Sequence, residues 1–160
     1  MKKTKKILSI ILAVMMILTA VPFASLTAFA EDCVHVDADK DNFCDECEKE
    51  LYIDRSWDDT NKKVVETLKE IPADAVALGS STTAVTLDAG SIYVVSGTVS
   101  ITKTITVNGT TSAPTLIILK DDAQFTVSAG IAVNETNALY IYGQAADSGK
   151  LTSTVTRAAY

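Results

Sequence analysis

IYVVSGTVSITKTITVNG, residues 92–109, decides the fold, because its apolar residues come in pairs one residue apart and the pairs return farther along the chain. Alternate residues of a strand share a face, so each pair marks one side of a short strand. Tyr93 and Val95 recur as Leu116 and Ile118 and again as Leu139 and Ile141, at a spacing of 23. Val99 and Ile101 recur as Phe125 and Val127 and then as Leu151 and Ser153, at 26; Ile105 and Val107 recur as Ile131 and Val133, also at 26. Fifteen of these sixteen positions are apolar, which predicts that they face inward. Three short β-branched strands per unit, parted by Gly, Asn, Ser or Asp and repeating with a period in the twenties, are the signature of a coiled chain. The expected fold is mainly β, a partial parallel β-helix over residues 76–160. Asn108 and Asn134 follow the third strand of successive coils at the same spacing, where stacked amides would bond to each other. About two and two-thirds coils fit after Gly90 and the last lacks a cap, so the sequence reads as the front of a longer protein.

Upstream of the coils the pattern changes three times. Residues 73–88 read as a lead-in with one strand at Val85–Leu87, covering the first coil. In 51–75, Trp57, Val64, Val65, Leu68 and Ile71 fall near helical spacing, with Ser56 and Asp59 placed as a capping box. The same residues suit two strands around a turn at 58–61, so helix and hairpin both stand. Residues 31–50 are too short and too polar to bury a core, and need covalent or metal links if they are ordered. Residues 1–30 carry four lysines, an apolar stretch from Ile7 to Val21 and the small-x-small site Ala28-Phe29-Ala30. That is a secretory signal peptide, and it predicts a mature chain beginning at Glu31, secreted or held at the cell surface, with no membrane span left after cleavage.

Without the leader the chain has ten basic and twenty acidic side chains, a net charge of about −10. This argues against nucleic acid as a partner. Nine of the carboxylates lie in 31–50, and so do all three cysteines and the chain's only histidine. An odd cysteine count in an exported chain argues against a fully paired disulfide framework. Two metal sets overlap there. Cys33, His35, Cys44 and Cys47 form CxH followed by CxxC, the three thiolates and one imidazole of a closed tetrahedral zinc site. Asp37, Asp39, Asp41, Asp45 and Glu48 occupy positions 1, 3, 5, 9 and 12 of a calcium loop, with the Phe43 carbonyl at position 7 and Asn42 at the left-handed position 6. Zinc is the preferred reading, because it uses every cysteine and the histidine.

The run CVHVDADKDNFCDEC, residues 33–47, resembles the short CxHxDxDxDxxCDxC modules of secreted proteins from gut-type Gram-positive bacteria. YVVSGTVSITKTITVNG, with LIILKDDAQFTV, GIAVNETNALYIYGQ and GKLTS, resembles the right-handed β-helix region, pectin-lyase-like in fold, of large surface proteins of those bacteria. The modules usually end in CG, whereas Glu48 follows Cys47 here, a departure that favours the calcium set. The resemblance implies location and fold more than activity; the reading drawn here is an exported surface scaffold for adhesion or carbohydrate contact, meeting an extracellular glycan or a host or cell-wall surface. The alternative is the front of a polysaccharide-degrading lyase or hydrolase with its catalytic coils beyond Tyr160. Asp121-Asp122 is the only carboxylate pair in the coils, and as adjacent turn residues they suit solvation better than acid and base work, so no catalytic residue is assigned. Tyr140 and Tyr142 are the candidates for stacking against a sugar.

Overall fold

The structure, a computed structural model, describes residues 33–155, so the leader read at 1–30 lies outside it. Among the described residues there are twelve strands and no helix, and therefore no helix long and apolar enough to cross a membrane.

The segment left open between helix and hairpin is a hairpin. Strands β1 (Leu51–Asp58) and β2 (Lys63–Glu70) pair antiparallel along their whole length, setting Trp57 opposite Val64 and Ile53 opposite Leu68. The turn is local chemistry: one carboxylate oxygen of Asp58 accepts from the amides of Thr60 and Asn61 at 2.9 and 3.1 Å. Such Asx geometry offers the backbone an alternative to a helical turn, and Ser56, the expected cap, lies inside β1.

The remaining strands wind through three sheets in rotation. A short first circuit has β3 (Val76–Ala77), a single bridge at Ser81 and β4 (Val85–Leu87). The next has β5 (Ile92–Val95), β6 (Thr98–Ile101) and β7 (Ile105–Val107); then come β8 (Thr115–Leu119), β9 (Gln124–Val127) and β10 (Ile131–Val133), and last β11 (Leu139–Gly143) and β12 (Lys150–Ser153). The sheets run β2-β1-β11-β8-β5-β3, β12-β9-β6 and β10-β7-β4, and every pairing outside the hairpin and its contact with β11 is parallel. All three sheets feed one core: Tyr93, Val95, Ile117 and Leu119 from the first, Val99, Ile101, Phe125 and Val127 from the second, Leu87, Ile105 and Val107 from the third. Each fully buried side chain of this size contributes about 1.5–3 kcal/mol. Beside β10 and β12 lies no further strand among the described residues, and the inward positions on these two edge strands, Val133 and Leu151, are 45% and 37% exposed.

Two sequence expectations are corrected and one is filled in. In the first sheet the repeat is 24 residues, with Tyr93 beside Ile117 and Ile141 beside Ile117, so the inward residues of β8 are Thr115, Ile117 and Leu119. Leu116 and Ile118 lie on the opposite face, outside the core cluster, although Ile118 is fully buried there. Leu116 to Leu119 is an unbroken apolar run that fits either phase, and a one-residue slip exchanges the faces. What settles it is Thr115, fully buried with its hydroxyl donating to the Asp88 carbonyl at 2.9 Å. Residues 73–88 cover the coil that begins after Gly90, as expected, with β4 at Val85–Leu87, and they do so as a further short circuit in which β3, Ser81 and β4 pair with β5, β6 and β7. Asn108 and Asn134 occupy equivalent positions yet are exposed; the amide that bonds there is that of Asn137, which donates to the Val107 carbonyl.

Candidate metal centre

The zinc set is brought together by two local conformations. From Cys33 to Asp37 the burial alternates, with Cys33, His35 and Asp37 half-buried and Val34 and Val36 exposed, so CxH presents both ligands on one side of an extended segment. Cys44 and Cys47 flank a tight turn closed by the Glu48 amide donating to the Cys44 carbonyl at 2.9 Å, and the Asp45 amide ties that turn to the Val36 carbonyl at 2.8 Å. The ligand atoms of Cys33, His35, Cys44 and Cys47 all lie within 4.8 Å of one another. Cys47 Sγ is 3.7 Å from His35 Nδ1. A sulfur and a nitrogen bound at tetrahedral angles to one zinc would stand about 3.6 Å apart, so the residues fit the ion.

The chemistry of the donors agrees with their spacing. All three cysteines are thiols here, and Cys44 is only 1% exposed. Burial pushes the Cys44 thiol up, but the His35 side chain and the amides of Glu46, Val36 and Cys47 outweigh it and bring it down to about 5. A thiol so placed is a thiolate at neutral pH, the form that binds metal. The amides around it are the outer contacts that hold a ligand in position.

Of the calcium set, Asp37, Asp39 and Asp41 come together within the same limit, while Asp45 and Glu48 do not join them. Asn42 has the left-handed φ of 72° that position 6 demands. The carboxylates are engaged with their own loop: Asp37 accepts from the amides of Asp41 and Asn42 at 3.1 and 3.2 Å, and Asp41 accepts from the Phe43 amide at 2.8 Å. Asp45 accepts from the Ala38 amide at 2.9 Å. The aspartates thus shape the bend between CxH and CxxC. Glu48 takes φ 57°, a conformation that glycine adopts without steric cost. The replacement of glycine after Cys47 therefore falls on a strained backbone position, not on a gathered carboxylate.

The module is bolted to the last two circuits by residues that sequence reasoning passed over. The Asn42 side chain donates to Asp121 and accepts from the Ala145 amide, both at 2.8 Å. Gln144, 3% exposed, donates to Glu50 and to the Leu51 carbonyl, both at 3.1 Å, and accepts from the Asp121 amide at 3.0 Å. Lys120 pairs with Glu50 at 2.6 Å. Asp121 is accordingly a structural acceptor. No local pattern marks Gln144 in the sequence, since its partners Asp121, Leu51 and Glu50 lie 23, 93 and 94 residues away. Tyr140 and Tyr142 lie side by side on the outward face of β11, ring centroids 6.2 Å apart, and Tyr142 continues to Tyr52 at 5.4 Å. Compared with known proteins, the chain matches no family model, no curated sequence and no solved structure.

Proposed function

We propose that the protein is an exported cell-surface scaffold for adhesion or carbohydrate contact, a right-handed parallel β-helix whose N-terminal module is clasped by a structural zinc ion. The observation that carries this reading is the group of Cys33, His35, Cys44 and Cys47, whose spacing and donor types suit a closed tetrahedral site with no position left for substrate. The rotation of the strands through three sheets, parallel wherever one circuit stacks on the next, supports the helical winding, and crossovers between parallel strands of one sheet are right-handed by a strong steric rule. The leader at 1–30 and the resemblance to surface proteins of gut-type Gram-positive bacteria support export. Zinc would join the CxH segment to the CxxC turn and so hold 42–51, the residues docked on the circuits. The test is metal content by mass spectrometry on protein purified without tag or chelator, for the parent, Cys47→Ser and Asp39→Ala. Zinc in the parent, retained in Asp39→Ala and lost in Cys47→Ser, is the expected result. Calcium lost only in Asp39→Ala, or no metal in any sample, overturns the reading.

A further inference from the structure

Asn42 stands between the two halves of the metal centre, seven residues after His35 and two before Cys44, and all its polar groups are engaged. Its backbone serves the module and the strand that follows: the amide donates to Asp37 at 3.2 Å, and the carbonyl accepts from the Leu51 amide at 2.8 Å. Its side chain reaches out of the module. The nitrogen donates to Asp121, in the turn between β8 and β9, and the oxygen accepts from the Ala145 amide, in the loop between β11 and β12. One residue thus ties the CxH segment and the start of β1 to two successive circuits. Its left-handed φ of 72° is one that glycine takes without steric cost and asparagine more readily than most residues. Glycine would make the bend but neither of the outward bonds.

The receiving side is built without the module. Besides Asn42, the Asp121 carboxylate accepts from the Ala146 amide at 3.2 Å and the Ser148 hydroxyl at 3.4 Å, and the Asp121 amide donates to Gln144 at 3.0 Å. The circuits therefore hold this acceptor in place, and a bond to an ionised acceptor is stronger than one between neutral groups. Closing a loop on a metal costs conformational entropy, and a loop already held elsewhere has less left to lose. The contacts that hold Asn42 on the circuits sit two residues from Cys44, so they limit the same stretch of chain that a metal would fix. We infer that Asn42 is a positioning residue coupling the metal centre to the circuits: its bonds to Asp121 and Ala145 strengthen zinc binding, and zinc binding strengthens those bonds. The second half follows from the first, because coupling between two equilibria is reciprocal. This coupling rests on the zinc reading of the centre, to which it adds control of affinity by the circuits.

Zinc affinity of the full chain is measured by competition with a chromophoric chelator, and contact between β1 and β11 by the near-ultraviolet circular dichroism of Tyr52 and Tyr142. Asn42→Gly keeps the bend, loses both outward bonds and should bind zinc about tenfold more weakly, within the usual span of such couplings. Asn42→Asp sets two carboxylates against each other and should weaken binding at least as far. Adding Asp121→Asn restores an amide facing a carboxylate, with the roles exchanged, and should recover affinity to within about threefold of the parent. A loss of fold would not be repaired in this way. Removing zinc should alter the tyrosine signal in the parent and alter it less in Asn42→Gly. Equal affinity in the parent and Asn42→Gly, no recovery in the exchanged pair, or a tyrosine signal indifferent to zinc in the parent overturns the coupling and leaves the zinc reading standing. No zinc bound by the parent overturns both.

Discussion

Gly109 sits where three pieces of chain meet, and the reason is room. A Cβ at this position would stand 2.3 Å from the Thr115 nitrogen, 2.5 Å from its hydroxyl and 2.7 Å from the Ala138 carbonyl. Two of those neighbours are backbone atoms already committed, since the Thr115 amide donates to Ala138 at 3.0 Å and the Ala138 amide donates to Gly109 at 2.6 Å. Neither can yield without breaking a bond. Gly109→Ala should therefore cost about 2 kcal/mol, in the range of overpacked sites. Gly79, where an added methyl would find nothing within 4 Å, makes the control. Thermal unfolding is expected to show a clear fall in Tm for Gly109→Ala and little change for Gly79→Ala; equal behaviour would mean that the close approach at 109 is absent in solution.

Strands β6, β9 and β12 were legible in the sequence because each alternates cleanly: Val99 and Ile101, Phe125 and Val127, Leu151 and Ser153 align at the expected spacing of 26. Strand β8 was not, because its apolar run satisfies both phases and only the buried Thr115 breaks the tie. The hairpin was half legible: its turn residues were visible at 58–61, but Val64, Val65 and Leu68 suit two periods at once. In the segment 33–50 the members of both candidate sets could be read from spacing, whereas the separation of Asp45 and Glu48 from the other carboxylates depends on how the loop bends. Within β9 the phase can be tested directly. Val127 is fully buried in the core and Thr126 is not. Val127→Asp places an unpaired carboxylate among apolar neighbours and should unfold the protein, while Thr126→Asp should cost no more than about 1 kcal/mol. Similar losses in urea denaturation would show that the face assignment is wrong.

Across the whole molecule the N-terminal hairpin is locked to the last circuit by groups whose ionisation can be read. Hydrogen bonding from Lys69, with a further bond from Tyr142, holds Asp54 below the usual carboxylate range despite burial. Burial, and next the Asp54 carboxylate, push Tyr142 up to about 12. A depressed acid stabilises fully above its unfolded value and loses that contribution as pH falls through the folded one; a raised tyrosine stabilises below its ordinary 10.0 and loses its share as pH climbs to about 12. Near-ultraviolet circular dichroism, which senses the Tyr52 and Tyr142 pair, should hold a plateau through neutral pH with one limb at each side. Asp54→Asn should remove the acid limb, and an unchanged limb would refute this account. The same lock orders events in time. Arg55 and Asp147 are 92 positions apart along the chain, yet they meet in one ion pair. The hairpin can form at once from its own turn, but its partner strand is made only after the intervening circuits have been laid down. Closing so long a loop carries an entropic cost that nearby contacts do not, and structures rich in distant pairings fold slowly. A chain emerging from its amino end must therefore keep this hairpin waiting for β11.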